Sequence, residues 1–139
     1  MSGEMFIASP VQSKAEQEAL CARLGAEFRA GDFAYRVTVG GAEAGIVTFF
    51  IKGKDAFLRQ IVFYPDRQDF EAMFISGRAA MEFMDRMGAQ NGYFLSPGEG
   101  QERLAAALGY KKQPDGRLYL NTAGFFEEHC RNHPEEERS

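Results

Sequence analysis

The sequence has no tryptophan and only two cysteines, Cys21 and Cys130, among its 139 residues. Two thiols so far apart make neither a disulfide framework nor a metal-ligand pair by spacing. Runs of positive charge are also missing. No Lys/Arg stretch exceeds two residues, and the formal net charge is −4. That balance excludes a nucleic-acid backbone as the main partner, while leaving room for a local basic pocket. No stretch approaches the roughly 18 apolar residues that a membrane-spanning helix needs. Met1–Pro10 shows no cationic start leading into an apolar run, so it does not read as a signal peptide. Reduced thiols without a membrane segment point to a cytoplasmic protein.

What is present is phenylalanine. There are thirteen, with five tyrosines, in a chain that is 45% apolar. This composition suits a tightly packed sheet-and-helix core, and the length is that of one domain. A single domain is expected over residues 1–122. A C-terminal helical turn (Phe125, Phe126, Cys130) and a mobile acidic tail would follow over 123–139.

A first strand is expected at Met5–Ala8. Ser13 with Glu16 three residues on reads as a capping box. Leu20, Leu24 and Phe28 continue at helical spacing, which predicts a helix over Lys14–Arg29. Three strand-like runs follow, Ala34–Val39, Gly45–Ile51 and Phe57–Tyr64. Gly40-Gly41 and Lys52-Gly53-Lys54-Asp55 separate them, so an antiparallel meander is expected. After Pro65 the period becomes helical. Phe70, Met73, Phe74, Gly77, Ala80, Met81, Met84 and Met87 line one face of a helix from Asp69 to Gly88. Gly77, costly inside a helix by about 1 kcal/mol, suggests close helix-on-sheet contact. Asn91–Ser96 reads as a strand joined to Phe57–Tyr64 by a parallel crossover. Pro97-Gly98 then breaks the chain, Gln101–Leu108 forms a short helix, and Tyr110–Gln113 pairs with Arg117–Asn121 across Pro114-Asp115-Gly116.

The fold class is therefore α+β in α/β/α layers. The sheet is mixed and mostly antiparallel, in the order β-α-β-β-β-α-β-α-β-β. This order resembles the GNAT acetyltransferase superfamily over about Met5 to Asn121. Ala44-Gly45-Ile46-Val47-Thr48-Phe49 is similar to that family's third strand. Ile61-Val62-Phe63-Tyr64-Pro65 is similar to its fourth, and Leu108-Gly109-Tyr110 to the Leu-Gly-Phe after its last helix.

The resemblance implies an acyltransferase that moves an acetyl group from acetyl-CoA to a small-molecule or peptide amine, without a metal. In the family, a Gln/Arg-x-x-Gly-x-Gly/Ala turn cradles the cofactor pyrophosphate on backbone N–H groups at a helix start. Here the first position falls on Gln68, and the two small positions fall on Glu71 and Met73. The implied cofactor-binding residues are Ile61, Val62, Phe63, Arg67, Gln68, Asp69 and Phe70. Asp66, Asp69 and Glu71 place three carboxylates beside this turn, where they stabilise a helix start by about 0.3–1 kcal/mol each and repel a phosphate. The fourth strand offers Arg59 and Gln60 rather than a carboxylate base, and the family's tyrosine acid falls on Ala105. Tyr64 and Tyr110 stand as substitute catalytic candidates, with Tyr93 as a further one. The alternative reading is a catalytically inactive ligand-binding or assembly module on the same fold. A homodimer is compatible with either.

Other groupings have plainer readings. His129, Cys130 and His133 could resemble metal ligands, but Pro134 and the acidic tail favour a solvated terminus. Lys111-Lys112 and Lys52 with Lys54 read as charges that protect sheet edges. For Lys52 and Lys54, contact with an anionic ligand is the competing reading.

Overall fold

The computed structural model describes residues 5–95 and 101–121. The strands are β1 (Phe6–Pro10), β2 (Phe33–Val39), β3 (Ala42–Lys52), β4 (Asp55–Phe63), β5 (Asn91–Phe94), β6 (Lys111–Lys112) and β7 (Leu118–Asn121). The helices are α1 (Lys14–Leu24), α2 (Phe70–Arg86) and α3 (Gln101–Leu108). They build one seven-stranded sheet in the order β1-β2-β3-β4-β5-β7-β6. Among the described residues only the β4–β5 pair is parallel. This is the expected α+β order, with α1 on one face of the sheet and α2 and α3 on the other.

Local chemistry explains most boundaries. Gly40 and Gly41 both take positive φ (62° and 84°), the mirror-image turn whose twist matches flanking strands, so β2 passes directly into β3. The Ser13 hydroxyl accepts the Glu16 amide at 3.0 Å and caps α1. The reciprocal half of the capping box is absent, because the Glu16 carboxylate pairs instead with Arg36 of β2 at 2.8 Å. α1 also stops earlier than its apolar spacing suggests. Gly25 adopts the left-handed conformation (φ 70°) and Ala26 N–H bonds back to Cys21 C=O at 2.8 Å, closing the helix at Leu24. Phe28 reaches the α1 cluster from a loop.

The main core lies between the sheet and α2/α3. The buried face of α2 is Ala72, Met73, Ser76, Gly77, Ala80, Met81 and Met84. Phe70 and Met87, expected on that stripe, are exposed at the helix ends. Gly77 is where α2 meets both neighbours. A Cβ there would lie 3.0 Å from Leu108 Cδ1 and 3.2 Å from Ile61 Cδ1. The expected close contact is thus with β4 and α3 together. β5 is shorter than Asn91–Ser96, ending at Phe94. Ser96 to Gly100, the tail from Thr122, and with them His129, Cys130, His133, Phe125 and Phe126, lie outside the described residues.

One irregularity shapes the site. Thr48 pairs with Gln60 and Phe49 with Leu58, so Arg59 is an extra residue in β4, a β-bulge. The bulge explains the burial pattern. Ala56 and Leu58 face α2, and beyond the extra residue Ile61 and Phe63 face it again. Gln60 and Val62 turn to the α1 side.

Candidate functional site

β4 and β5 pair over four residues, from Asp55 with Asn91 to Leu58 with Phe94. Leu95 N–H to Leu58 C=O, at 2.9 Å, is the last rung. From the Arg59 bulge onward, β4 pairs only with β3 among the described residues. Among the described residues, Arg59 to Phe63 have no strand partner on this side, and by strand alternation the N–H and C=O groups facing it are those of Ile61 and Phe63. A bulge raises local twist and bends its strand, a physical reason for the pairing among the described residues to end here. The carboxyl ends of parallel strands are where open sheets with helices on their faces characteristically receive ligands.

The chain then passes through a 3₁₀ turn, Pro65–Arg67, into α2. Gln68 is positioned by that turn, and its Nε2 donates to Phe63 C=O at 3.1 Å and more weakly to Tyr64 C=O at 3.4 Å. It substitutes for a strand partner that the described residues lack at the end of β4. The Asp69 carboxylate caps α2, accepting the Ala72 N–H at 3.1 Å. The amides of Phe70 and Glu71 are left as the unbonded donors of the first turn. Arg103 of α3 lies over the Phe70 ring, 4.1 Å from its centroid. This cation is brought in by α2–α3 packing, and no motif in the sequence pointed to it. The turn therefore presents Asp66, Asp69 and Glu71 against Arg67 and Arg103.

The two tyrosine candidates do not converge on this edge of β4. Tyr110 is buried in the main core against Phe94, with ring centroids 5.6 Å apart. Burial pushes its phenol well above the usual range, so it holds its proton. The Tyr64 hydroxyl donates to Glu43 at 2.5 Å. Glu43 also accepts two bonds from Arg23, at 3.0 and 2.9 Å. The Glu43 hydrogen bond pushes the Tyr64 phenol up as well. The polar residues of β4 are equally committed. Gln60 bonds both the N–H and C=O of Glu27 and the Thr48 hydroxyl. Arg59 grips Asp32 with Nε and Nη2 at 2.5 and 3.1 Å. Tyr93 is the tyrosine nearest the end of the β4–β5 pairing, opposite Phe57 and one residue before the last pair. It lines a cavity of about 200 Å³ with Phe57, Leu95 and Arg117. No group of three or more His, Cys, Asp or Glu is placed to hold a metal ion among the described residues.

No protein-family model and no curated protein matches this sequence. Solved structures do match its fold. IAA acetyltransferase from Bacillus cereus superposes with a TM-score of 0.65 at 15% identity, over 78% of this chain and 79% of that one. A Bacillus subtilis acetyltransferase in complex with CoA gives 0.63 at 14% identity, over 85% and 98%. The chain has the GNAT acetyltransferase fold. The ribosomal-protein-S18-alanine N-acetyltransferase from Escherichia coli shares it too, with a TM-score of 0.61 at 14% identity, over 83% and 89%. At such identities the GNAT likeness is one of architecture, and the site must be argued from this chain's own residues.

Those residues fit a CoA thioester unevenly. The Ile61–Phe63 edge, without a strand partner among the described residues, would offer backbone groups to the amides of a pantetheine arm. The first turn of α2 suits a pyrophosphate less well, because a carboxylate already holds one of its donors and two more flank it.

Proposed function

We propose that the chain is an acyl-CoA-dependent N-acyltransferase, moving an acetyl or related acyl group from CoA to an amine. One observation carries the reading: the β4 edge after the Arg59 bulge, which has no strand partner among the described residues and leads through a short turn into α2. An amide-bearing arm can hydrogen-bond along that edge as an added strand would. Its thioester would then lie at the end of the β4–β5 pairing, beside the cavity lined by Phe57 and Tyr93. There the amine nitrogen bonds to the acyl carbon and the C–S bond breaks. The ammonium proton is lost to water, and CoA leaves as thiolate to be protonated. With the polar side chains of β4 already engaged, proximity and orientation supply most of the acceleration.

The Asp69 cap favours the competing reading, a GNAT-fold module that binds no cofactor. Calorimetry separates the two. Acetyl-CoA binding tighter than about 100 µM supports the transferase, and absence of heat at millimolar ligand overturns it. Gln68→Ala sharpens the location. Its bond to Phe63 C=O is half-buried and is a single neutral hydrogen bond, so stability falls by about 1 kcal/mol. Loss of that anchor at the end of β4 weakens CoA binding, and unchanged affinity would remove Gln68 from the site.

A further inference from the structure

On the α1 side of the sheet an aromatic row crosses four strands. Phe50 of β3 stacks on Phe57 of β4 with centroids 4.7 Å apart and planes only 10° from parallel. Phe57 stacks on Tyr93 of β5 at 5.3 Å, and Tyr93 meets Tyr119 of β7 at 5.4 Å. α1 covers a different part of this face, resting on Ala34 and Ile46, with Val62 and Tyr64 packed alongside. At the Phe50 end the Arg59 guanidinium lies 4.6 Å from the ring centroid. A second cavity, about 380 Å³, opens there, with Arg29, Gly31, Asp32, Phe50, Lys52 and Arg59 in its wall.

This wall is basic in an acidic chain. Three cations (Arg29, Lys52, Arg59) face one carboxylate, Asp32. Arg29 pairs with Glu27. Asp32 occupies two of the Arg59 donors, on Nε and Nη2. A guanidinium has five N–H donors, so about three are left for another acceptor, in a plane that matches a carboxylate. Lys52 makes no ion pair among the described residues. Asp32 fixes Arg59 in place and Phe50 fixes its plane. The cavity is therefore preorganised for an anion at one end of an aromatic platform, whose middle crosses β4 and β5 beside their last described pair.

We infer that this pocket holds the carboxylate of the acyl acceptor, which makes the acceptor an amino acid with an apolar or aromatic side chain. This rests on the transferase reading for the identity of the ligand. The carboxylate binds Arg59 and Lys52, the side chain lies along Phe50, Phe57 and Tyr93, and the amine faces the thioester.

The test needs no turnover. N-acetyl-L-phenylalanine (a product of the proposed class) and N-phenethylacetamide (the same molecule without its carboxylate) are titrated into ¹⁵N-labelled protein. Amide shifts of Gly31, Lys52, Gly53 and Arg59 are followed, with and without CoA. The acid binds at least about ten-fold tighter than the amide and shifts these four signals. Lys52→Glu abolishes most of that preference. Lys54→Glu, the same charge change outside the cavity wall, alters it less than about two-fold. Equal binding of the two probes overturns the inference, as does an equal effect of the two lysine variants. CoA that binds while the probes show no preference leaves the transferase standing and removes the acceptor assignment. A preference for the acid with no CoA binding leaves a carboxylate pocket standing but overturns the transferase, and with it the ligand's assignment as an acyl acceptor.

Discussion

Replacing Gly45 with alanine tests the packing that holds the Ile61–Phe63 edge of β4. Gly45 lies opposite Phe63 in the β3–β4 ladder. A Cβ at that position would sit 2.3 Å from Phe63 Cδ1 and 2.7 Å from two further ring atoms. Ordinary carbon contacts are about 3.5–4.0 Å, so the ring must retreat by more than about 1 Å. Phe63 is 3% exposed and packs in the main core, where there is little space to retreat into. Overpacking of this kind costs about 1–3 kcal/mol, and the severity of the clash argues for the upper part of that range. Removing a glycine from a strand returns about 0.5–1 kcal/mol. The expected net loss is about 2 kcal/mol, a fall in Tm of about 6 °C for a chain of this length. Far-UV circular dichroism during urea and thermal unfolding suits a protein without tryptophan. Phe63→Leu alone loses about three buried carbons and about 2 kcal/mol. In the double variant the smaller side chain leaves room for the new methyl, so the combined loss falls short of the sum by at least about 1 kcal/mol. A Gly45→Ala protein as stable as the parent, or strict additivity in the double variant, would refute the argument.

Asp32→Asn leaves Arg59, whose side chain is 14% exposed, without its charged partner. It should cost about 3 kcal/mol, somewhat less if water reaches the guanidinium, as measured by urea denaturation. The Glu43 carboxyl is held below the usual carboxylate range, first by its hydrogen bond from Arg23 and next by that from Tyr64. A depressed folded-state value means stability that is present above about pH 4.3 and lost as pH falls through the folded value. Glu43→Gln should therefore flatten Tm against pH on the acid side, and an unchanged profile would contradict the assignment. Asp69→Asn keeps a side-chain oxygen for the Ala72 amide and removes a charge from the α2 start. CoA affinity should rise about two- to five-fold at low salt, with no gain if phosphate does not bind there.

Much of the architecture was legible in the sequence because period and turn chemistry agreed. Gly40-Gly41, Lys52–Asp55 and Pro114-Asp115-Gly116 marked the hairpins, and a Met- and Ala-rich stripe marked α2. Errors arose where a single residue overrode the pattern. Gly25 closed α1 five residues before Arg29, and two apolar residues at the ends of α2 fell outside the packed turns. Pro65 and the helix behind it drew attention to the turn after β4, where the proposed site is placed. Its content was not legible. Gln68 bonds a strand carbonyl, Tyr64 belongs to an ion-pair cluster on the α1 side, and Tyr110 belongs to the core. Arg103, the Arg59–Asp32 pair and the aromatic row are formed by residues far apart in the chain. No local spacing could have revealed them.

The bulge has a meaning in terms of chain economy. Without Arg59, Ala56, Leu58, Ile61 and Phe63 would fall on alternate positions of an unbroken strand, all facing α2. The sheet has no need of the extra residue, and deleting it would leave the inward pattern of β4 intact. What deletion removes is the kink in the strand and the guanidinium over Phe50, while stranding the Asp32 carboxylate. One inserted residue thus separates a plain sheet strand from a bent one with a cation held over its aromatic neighbour.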